Sequence, residues 1–149
     1  MFFNDFKIGE DRLTIIVAEL SANHNQQMKL AVETIRAAKR AGADAIKLQT
    51  YTPDTITIDC DNEYFGDLLK GTIWEGQKFY DLYNNTFTPW KWHEELFRIA
   101  REEGLICFSS PFDKTAVDFL EQFNTPAYKI ASFEIRDLPL IEYAASKGR

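Results

Sequence analysis

The stretch AGADAIKLQT, residues 41–50, decides how the rest of the chain is interpreted. The segment before it, 25–43, carries apolar residues at helical spacing, and Gly42 is the residue type that commonly ends a helix. Residues 44–50 then follow the two-residue period of a strand. The stretch therefore predicts a helix followed at once by a strand, which is the repeating unit of α/β proteins.

The same alternation occurs four times along the 149 residues. Consecutive strands joined by helices are expected to be parallel, with the helices packed outside them. A (β/α)₈ TIM barrel typically needs about 250 residues, so residues 1–149 correspond to its N-terminal part. A doubly wound sheet fits the alternation as well, but no glycine-rich nucleotide loop is present. The predicted strands are 13–20, 44–50, 105–110 and 127–132; the predicted helices are 25–43, 88–104, 113–123 and 138–148.

One connection departs from this regular pattern. Residues 51–87 are rich in aromatic side chains, and the part GQKFYDLYNN (76–85) favours a short helix. Most such connections have only 2–6 residues, so we expect a structured segment lying over the strand ends. The helix after it should have Thr88 as N-cap, Pro89 at its first position and Gly104 at its end.

Composition excludes some classes of protein. The net charge of −6 argues against a nucleic-acid binder, which needs a basic surface. No apolar run reaches the roughly 20 residues of a membrane span, and the N-terminus lacks the apolar core of a signal peptide. Cys60 and Cys107 show no metal or disulfide spacing, which indicates a reducing, cytoplasmic compartment.

Charged side chains fall near the carboxyl ends of the predicted strands. Glu19, Lys47 and Lys129 each lie toward the end of a strand, where parallel α/β proteins place their active sites. Unpaired buried charge is costly, so their convergence predicts a ligand site. The two ammonium groups and the nearby serines suit phosphate and carboxylate oxygens. His24 and His93 are expected to be structural, and the sequence predicts no metal ligand in this chain.

Six blocks together resemble the sialic acid synthase family, and most closely its pseudaminic acid branch. They are AELSANHN (18–25), AGADAIKLQTYTPDT (41–55), KGTIWEGQKFYDLY (70–83), TPWKWHEELF (88–97), CFSSPFD (107–113) and AYKIASFE (127–134). One departure is Gln26, where the family commonly has a small residue.

The resemblance implies a barrel followed by an antifreeze-like domain in a domain-swapped homodimer. It implies condensation of phosphoenolpyruvate with an open-chain diacetamido-trideoxy sugar and release of phosphate. Glu19, Lys47 and Glu134 would be catalytic. The substrate-binding residues would be Asn23, Gln49, Ser110, Phe112, Lys129 and Ser132. A divalent Mn or Mg ion would be bound by residues outside this chain.

Several alternatives stay open on these grounds. N-acetylneuraminate or legionaminate could be the product instead. A Schiff-base aldolase could use Lys47 or Lys129, since a desolvated lysine can act as a nucleophile. A non-catalytic half-barrel that binds ligand or self-associates is a third possibility. We expect the isolated 149-residue chain to be inactive by itself.

Overall fold

A computed structural model describes residues 2–3, 6–9, 14–66 and 69–149. Its strands are β1 (Phe2–Phe3), β2 (Phe6–Lys7), β3 (Val17–Glu19), β4 (Ala45–Thr50) and β5 (Ile106–Pro111). Its helices are α1 (Met28–Arg40), α2 (Pro53–Ile56), α3 (Glu63–Gly66), α4 (Phe79–Thr86), α5 (His93–Glu102), α6 (Lys114–Glu121) and α7 (Leu138–Ala145). Within the described residues, no helix is both long and apolar enough to cross a bilayer.

The central sheet consists of β3, β4 and β5 in that order, and adjacent strands run parallel to each other. Its register places Glu19 beside Lys47 and Gln49 beside Ser110. Because side chains alternate along a strand, these polar residues share one face of the sheet. The α/β prediction with parallel strands is confirmed, and it agrees with part of a barrel.

The other face of the sheet carries the hydrophobic core. Ile46 and Leu48 of β4 are fully buried and pack with Ile35 of α1 and Leu96 of α5. Cys107 lies in the same core, as the sequence predicts, and burial raises the pKa of its thiol. The apolar face of the sheet therefore packs against the helices, and the candidate site residues lie on the polar face.

The prediction of a fourth strand over 127–132 is wrong. The described chain forms a single parallel bridge there, between Ser109 and Tyr128, supported by the Lys129 N–H donating to the Ser109 carbonyl at 3.1 Å. At Ser132 the backbone already turns helical and enters a 3₁₀ turn, Phe133–Arg136. One bridge cannot sustain a ladder, so the segment is extended but is not a strand.

Several predicted boundaries also change. Residue 13 lies outside the described residues, and β3 is shorter than the predicted 13–20. Thr88 does not cap α5, because its hydroxyl bonds His24 at 3.1 Å, and Pro89 instead precedes a 3₁₀ turn, Trp90–Trp92. Gly104 follows the end of α5 with a φ of +70°, which confirms its helix-ending role.

The 51–87 connection folds over the carboxyl ends of the strands. It contains α2, α3 and α4, and α4 confirms the predicted short helix. The Tyr80 hydroxyl donates to Asp54 at 2.9 Å, and Lys78 pairs with Asp61 at 3.0 Å. These contacts tie α4 to the beginning of the connection, so the segment is a structured lobe.

Candidate active site

The polar face of the sheet opens into a cavity of about 320 Å³, which we call the strand-end cavity. It lies where β4 and β5 end and the 51–87 connection begins. Seven of the nine predicted site residues line it: Glu19, Lys47, Gln49, Ser110, Phe112, Lys129 and Ser132. Tertiary structure thus gathers side chains that are more than 100 residues apart in sequence.

A network of charge and amide groups forms one wall of this cavity. The Lys47 ammonium lies 2.9 Å from the Glu19 carboxylate, and the Gln49 amide donates to the same carboxylate at 3.2 Å. The Lys47 side chain is only 12% exposed, whereas that of Glu19 is 42% exposed. Glu19 therefore orients two donors on β4 while keeping contact with water.

Side chains from β5 and from residues 129–132 line the same cavity. The Ser110 side chain is 1% exposed, and its hydroxyl has no hydrogen-bond partner among the described residues. Lys129 follows the single bridge to Ser109, so its side chain lies beside β5. Ser132 starts the 3₁₀ turn at the mouth of the cavity. A buried hydroxyl without a partner, in a cavity that two lysines also line, is typical of a site that binds an oxyanion.

Glu134 has a different position from the other predicted catalytic residues. It lines a neighbouring cavity, and its Oε2 is buried with no partner among the described residues. Burial raises the pKa of this carboxyl, and the charge of Lys129 opposes that rise. The surroundings of Glu134 thus favour its protonated form.

Asn23 lies outside the set of residues that line the cavity. Its side chain is exposed, and its amide donates to the Leu20 carbonyl at 3.2 Å within the loop after β3. In the same loop Gln26 has a φ of +51°, a backbone region that favours glycine. Its amide donates to the Phe87 carbonyl at 2.6 Å, which links this loop to the end of the 51–87 connection.

Both histidines are buried, and each contacts a threonine hydroxyl. His24 is buried and contacts the Thr88 hydroxyl at 3.1 Å, and burial lowers its pKa. His93 is buried and contacts the Thr50 hydroxyl at 2.8 Å. The described residues contain no cluster of three or more potential metal-binding His, Cys, Asp or Glu side chains. Because such a cluster is missing from the described residues and Glu19 is already paired with Lys47, these residues do not fit a divalent metal.

Sequence reasoning missed part of the lining. Tyr51, Ile56, Tyr83 and Phe133 also face the strand-end cavity. Three of them belong to the 51–87 connection, whose aromatic content was the available signal. That signal predicted the lobe over the strand ends but did not identify which of its side chains point inward.

The fold and the site together define a parallel α/β protein with a cavity lined by lysine and serine side chains at the carboxyl ends of its strands. Residues 34–149 match the family described as the NeuB family, so the chain belongs to the NeuB family. The family predicted from the six sequence blocks is thereby confirmed.

Relatives point to a particular branch of this family. The chain is 49% identical over 139 residues to the pseudaminic acid synthase of Campylobacter jejuni, covering 93% of this chain and 40% of the relative. It is 53% identical over 130 residues to that of Helicobacter pylori, covering 87% and 38%. The chain therefore spans about 40% of the length of these curated relatives.

A solved structure supports the same fold. The N-acetylneuraminic acid synthetase of Leptospira borgpetersenii, in complex with citrate, superposes with a TM-score of 0.79 at 27% identity. The match covers 99% of this chain and 46% of that chain.

Proposed function

We propose that this chain forms the phosphoenolpyruvate-binding part of a pseudaminic acid synthase. The observation that carries the proposal is the strand-end cavity, which is lined by Lys47, Lys129 and Ser110, whose buried hydroxyl has no partner among the described residues. Phosphoenolpyruvate has a phosphate and a carboxylate on a small carbon frame, so it needs several donors within a few ångströms. Identity of 49–53% to the two pseudaminic acid synthases supports the choice of branch.

Different lining residues are proposed to bind different parts of phosphoenolpyruvate. Lys129, Ser132 and Ser110 bind its oxyanions, and Lys47 neutralises part of the remaining charge. The Lys47–Glu19 contact holds the ammonium in place before substrate arrives. Preorganised groups of this kind stabilise developing charge without reorganisation at the moment of reaction.

The chemistry proposed at this site is a carbon–carbon bond formation. C3 of phosphoenolpyruvate attacks the aldehyde carbon of the open-chain sugar, and the aldehyde oxygen takes a proton. Positive charge then develops at C2, water adds there, and the C2–O bond to phosphate breaks to give the keto acid and inorganic phosphate. Glu19 and Glu134 are the carboxylates proposed to stabilise that charge and direct the water. Gln49 is proposed to contact the sugar.

The remaining features of the proposal concern the whole protein. Cys60 and Cys107 are both free thiols, which agrees with a cytoplasmic location. From family membership we also propose that the whole protein is a homodimer and that Asn23 and Phe112 contact substrate. A divalent metal would be held by residues outside this chain. The described residues contain no cluster of side chains that would hold this metal.

The test is the release of phosphate by the full-length protein that carries this chain. It should require phosphoenolpyruvate and the diacetamido-trideoxy altrose together, in the presence of manganese. Residues 1–149 alone should bind phosphoenolpyruvate without turnover. Borohydride should trap no adduct of Lys47 or Lys129 with a keto acid, because this route forms no imine. A trapped adduct, or no phosphate release by the full-length protein, contradicts the proposal.

A further inference from the structure

A second cavity, of about 350 Å³, adjoins the strand-end cavity, and we call it the aromatic chamber. The two cavities share a wall, and the chamber adds side chains of its own that belong mainly to the 51–87 connection. The shared residues are Ile56, Tyr83, Phe112 and Phe133; those that line the chamber alone are Thr57, Phe65, Phe79 and Glu134. A ligand anchored in the strand-end cavity can therefore extend into the chamber.

The walls of the chamber are connected by aromatic contacts. Phe79 stacks on Tyr83 with ring centroids 6.0 Å apart. Tyr83 meets Tyr51 edge to face at 5.6 Å, and Tyr51 meets Phe112 at 5.4 Å. Edge-to-face and offset contacts fix ring positions, so the chamber has a defined shape that links directly to the predicted substrate residue Phe112.

The chamber presents apolar surface to water. Phe133 is 91% exposed although it lies between the two cavities. Phe65 and Phe79 are only half-buried. Apolar surface of this kind gains free energy when an apolar group of a ligand covers it, whereas a hydroxyl placed there would lose its hydrogen bonds to water.

The lining also includes the Glu134 carboxyl, one of whose oxygens lacks a partner within the described part of the chain. The Oε2 of Glu134 is buried and has no hydrogen-bond partner among the described residues. It is an acceptor in either protonation state of the carboxyl. The N–H of an acetamido group would satisfy this acceptor while its methyl group packs against the aromatic walls, and this contact would leave the other carboxyl oxygen of Glu134 for its proposed catalytic role.

We infer that the aromatic chamber binds an N-acyl group of the sugar, at a position distal from its aldehyde. The inference rests on the proposed function, which places the aldehyde beside phosphoenolpyruvate in the strand-end cavity. A diacetamido-trideoxy sugar carries such a distal acetamido group and a deoxy methyl. N-acetylmannosamine carries hydroxyl groups there, so the chamber selects against it.

The experiment is calorimetric titration of the full-length protein with three probes used separately. They are phosphoenolpyruvate, the diacetamido-trideoxy altrose and N-acetylmannosamine. Phe79→Ala removes a wall of the chamber, and Thr57→Phe fills the chamber without deleting a contact. Tyr64→Ala is the matched control, because Tyr64 is next to Phe65 in sequence but is 71% exposed and lines neither cavity.

Burial of one apolar carbon changes affinity by about fourfold. With a methyl and a deoxy carbon in the chamber, Phe79→Ala and Thr57→Phe should each weaken binding of the diacetamido sugar by roughly tenfold. Affinities for phosphoenolpyruvate and N-acetylmannosamine should change by less than about twofold. Tyr64→Ala should leave all three affinities unchanged.

The outcomes separate this inference from the proposed function. If both chamber variants bind phosphoenolpyruvate and their affinity for the diacetamido sugar is unchanged, the inference about the chamber is wrong and the proposed function stands. Sugar affinity that falls in the variants, in a protein that does not bind phosphoenolpyruvate, supports the chamber and overturns the proposed function. A protein that binds neither probe contradicts both. A circular dichroism spectrum that matches that of the parent protein serves as the measure of correct folding in each variant.

Discussion

Adjacent serines on β5 should separate ligand binding from stability. Ser109 and Ser110 point to opposite faces of the strand, and both are essentially buried. The Ser109 hydroxyl contacts the Thr50 hydroxyl at 2.7 Å, and Thr50 in turn contacts His93 at 2.8 Å. The Ser110 hydroxyl has no partner among the described residues and faces the strand-end cavity.

These environments give opposite expectations for alanine substitutions. Ser109→Ala removes one member of a buried network and leaves the Thr50 hydroxyl short of a partner, which costs about 1–3 kcal/mol of unfolding free energy. Ser110→Ala removes a hydroxyl that is already unsatisfied, so stability should be unchanged or rise by up to about 1 kcal/mol. A hydrogen bond to a charged group contributes about 1.5–3 kcal/mol, so Ser110→Ala should weaken phosphoenolpyruvate binding at least about tenfold.

The measurements are urea unfolding followed by circular dichroism, and calorimetric titration with phosphoenolpyruvate. Ser109→Ala is the control for Ser110→Ala, since the two changes remove the same atom from neighbouring positions. Ser109→Ala should retain nearly the full affinity for phosphoenolpyruvate. The reasoning is refuted if Ser110→Ala destabilises the protein as much as Ser109→Ala while phosphoenolpyruvate affinity is unaffected.

Lys129→Met should lower the affinity for phosphoenolpyruvate more than tenfold, because about 1.4 kcal/mol of lost charge-assisted hydrogen bonding suffices for that change; equal titration curves for variant and parent would argue against the role of this lysine. Stability should also depend on pH through His93. Burial lowers the pKa of His93 to about 4, below the ordinary value of about 6.5, so the unfolded chain binds the proton first on acidification. The stabilisation is complete above about pH 6.5 and falls by about 3 kcal/mol toward pH 4. Urea unfolding across this range should give a flatter profile for His93→Gln, and an unchanged slope would exclude His93 as the cause.

Much of the fold could be predicted from local patterns. The alternation of residues 44–50 identified β4, and Gly42 and Gly104 marked the ends of α1 and α5 because positive φ favours glycine. The apolar set containing Ile46 and Leu48 correctly indicated the core face. Local patterns failed at 127–132, since strand formation depends on pairing with a neighbour and a single bridge forms there.

The charged residues of the site could be predicted from the sequence, but the shape of the cavity could not. Glu19 and Lys47 could be placed together because parallel strands align their carboxyl ends. The positions of Asn23 and Glu134 could not be derived in this way, because each lies on a loop or turn whose path depends on contacts distant in sequence. Thr88 illustrates the same limit. Its sequence neighbours predict a helix cap, but in the folded chain its hydroxyl contacts His24 instead.

The sequence by itself determined the α/β class, the family and the residue types that can bind an anion, because periodicity and motif order are local properties. Tertiary structure decided that the Ser110 hydroxyl has no partner among the described residues, that Glu134 lines the aromatic chamber, and that the 51–87 connection builds most of that chamber. The physical reason is that burial, desolvation and the pairing of polar atoms depend on which groups meet in space, and residues far apart in the chain supply those groups.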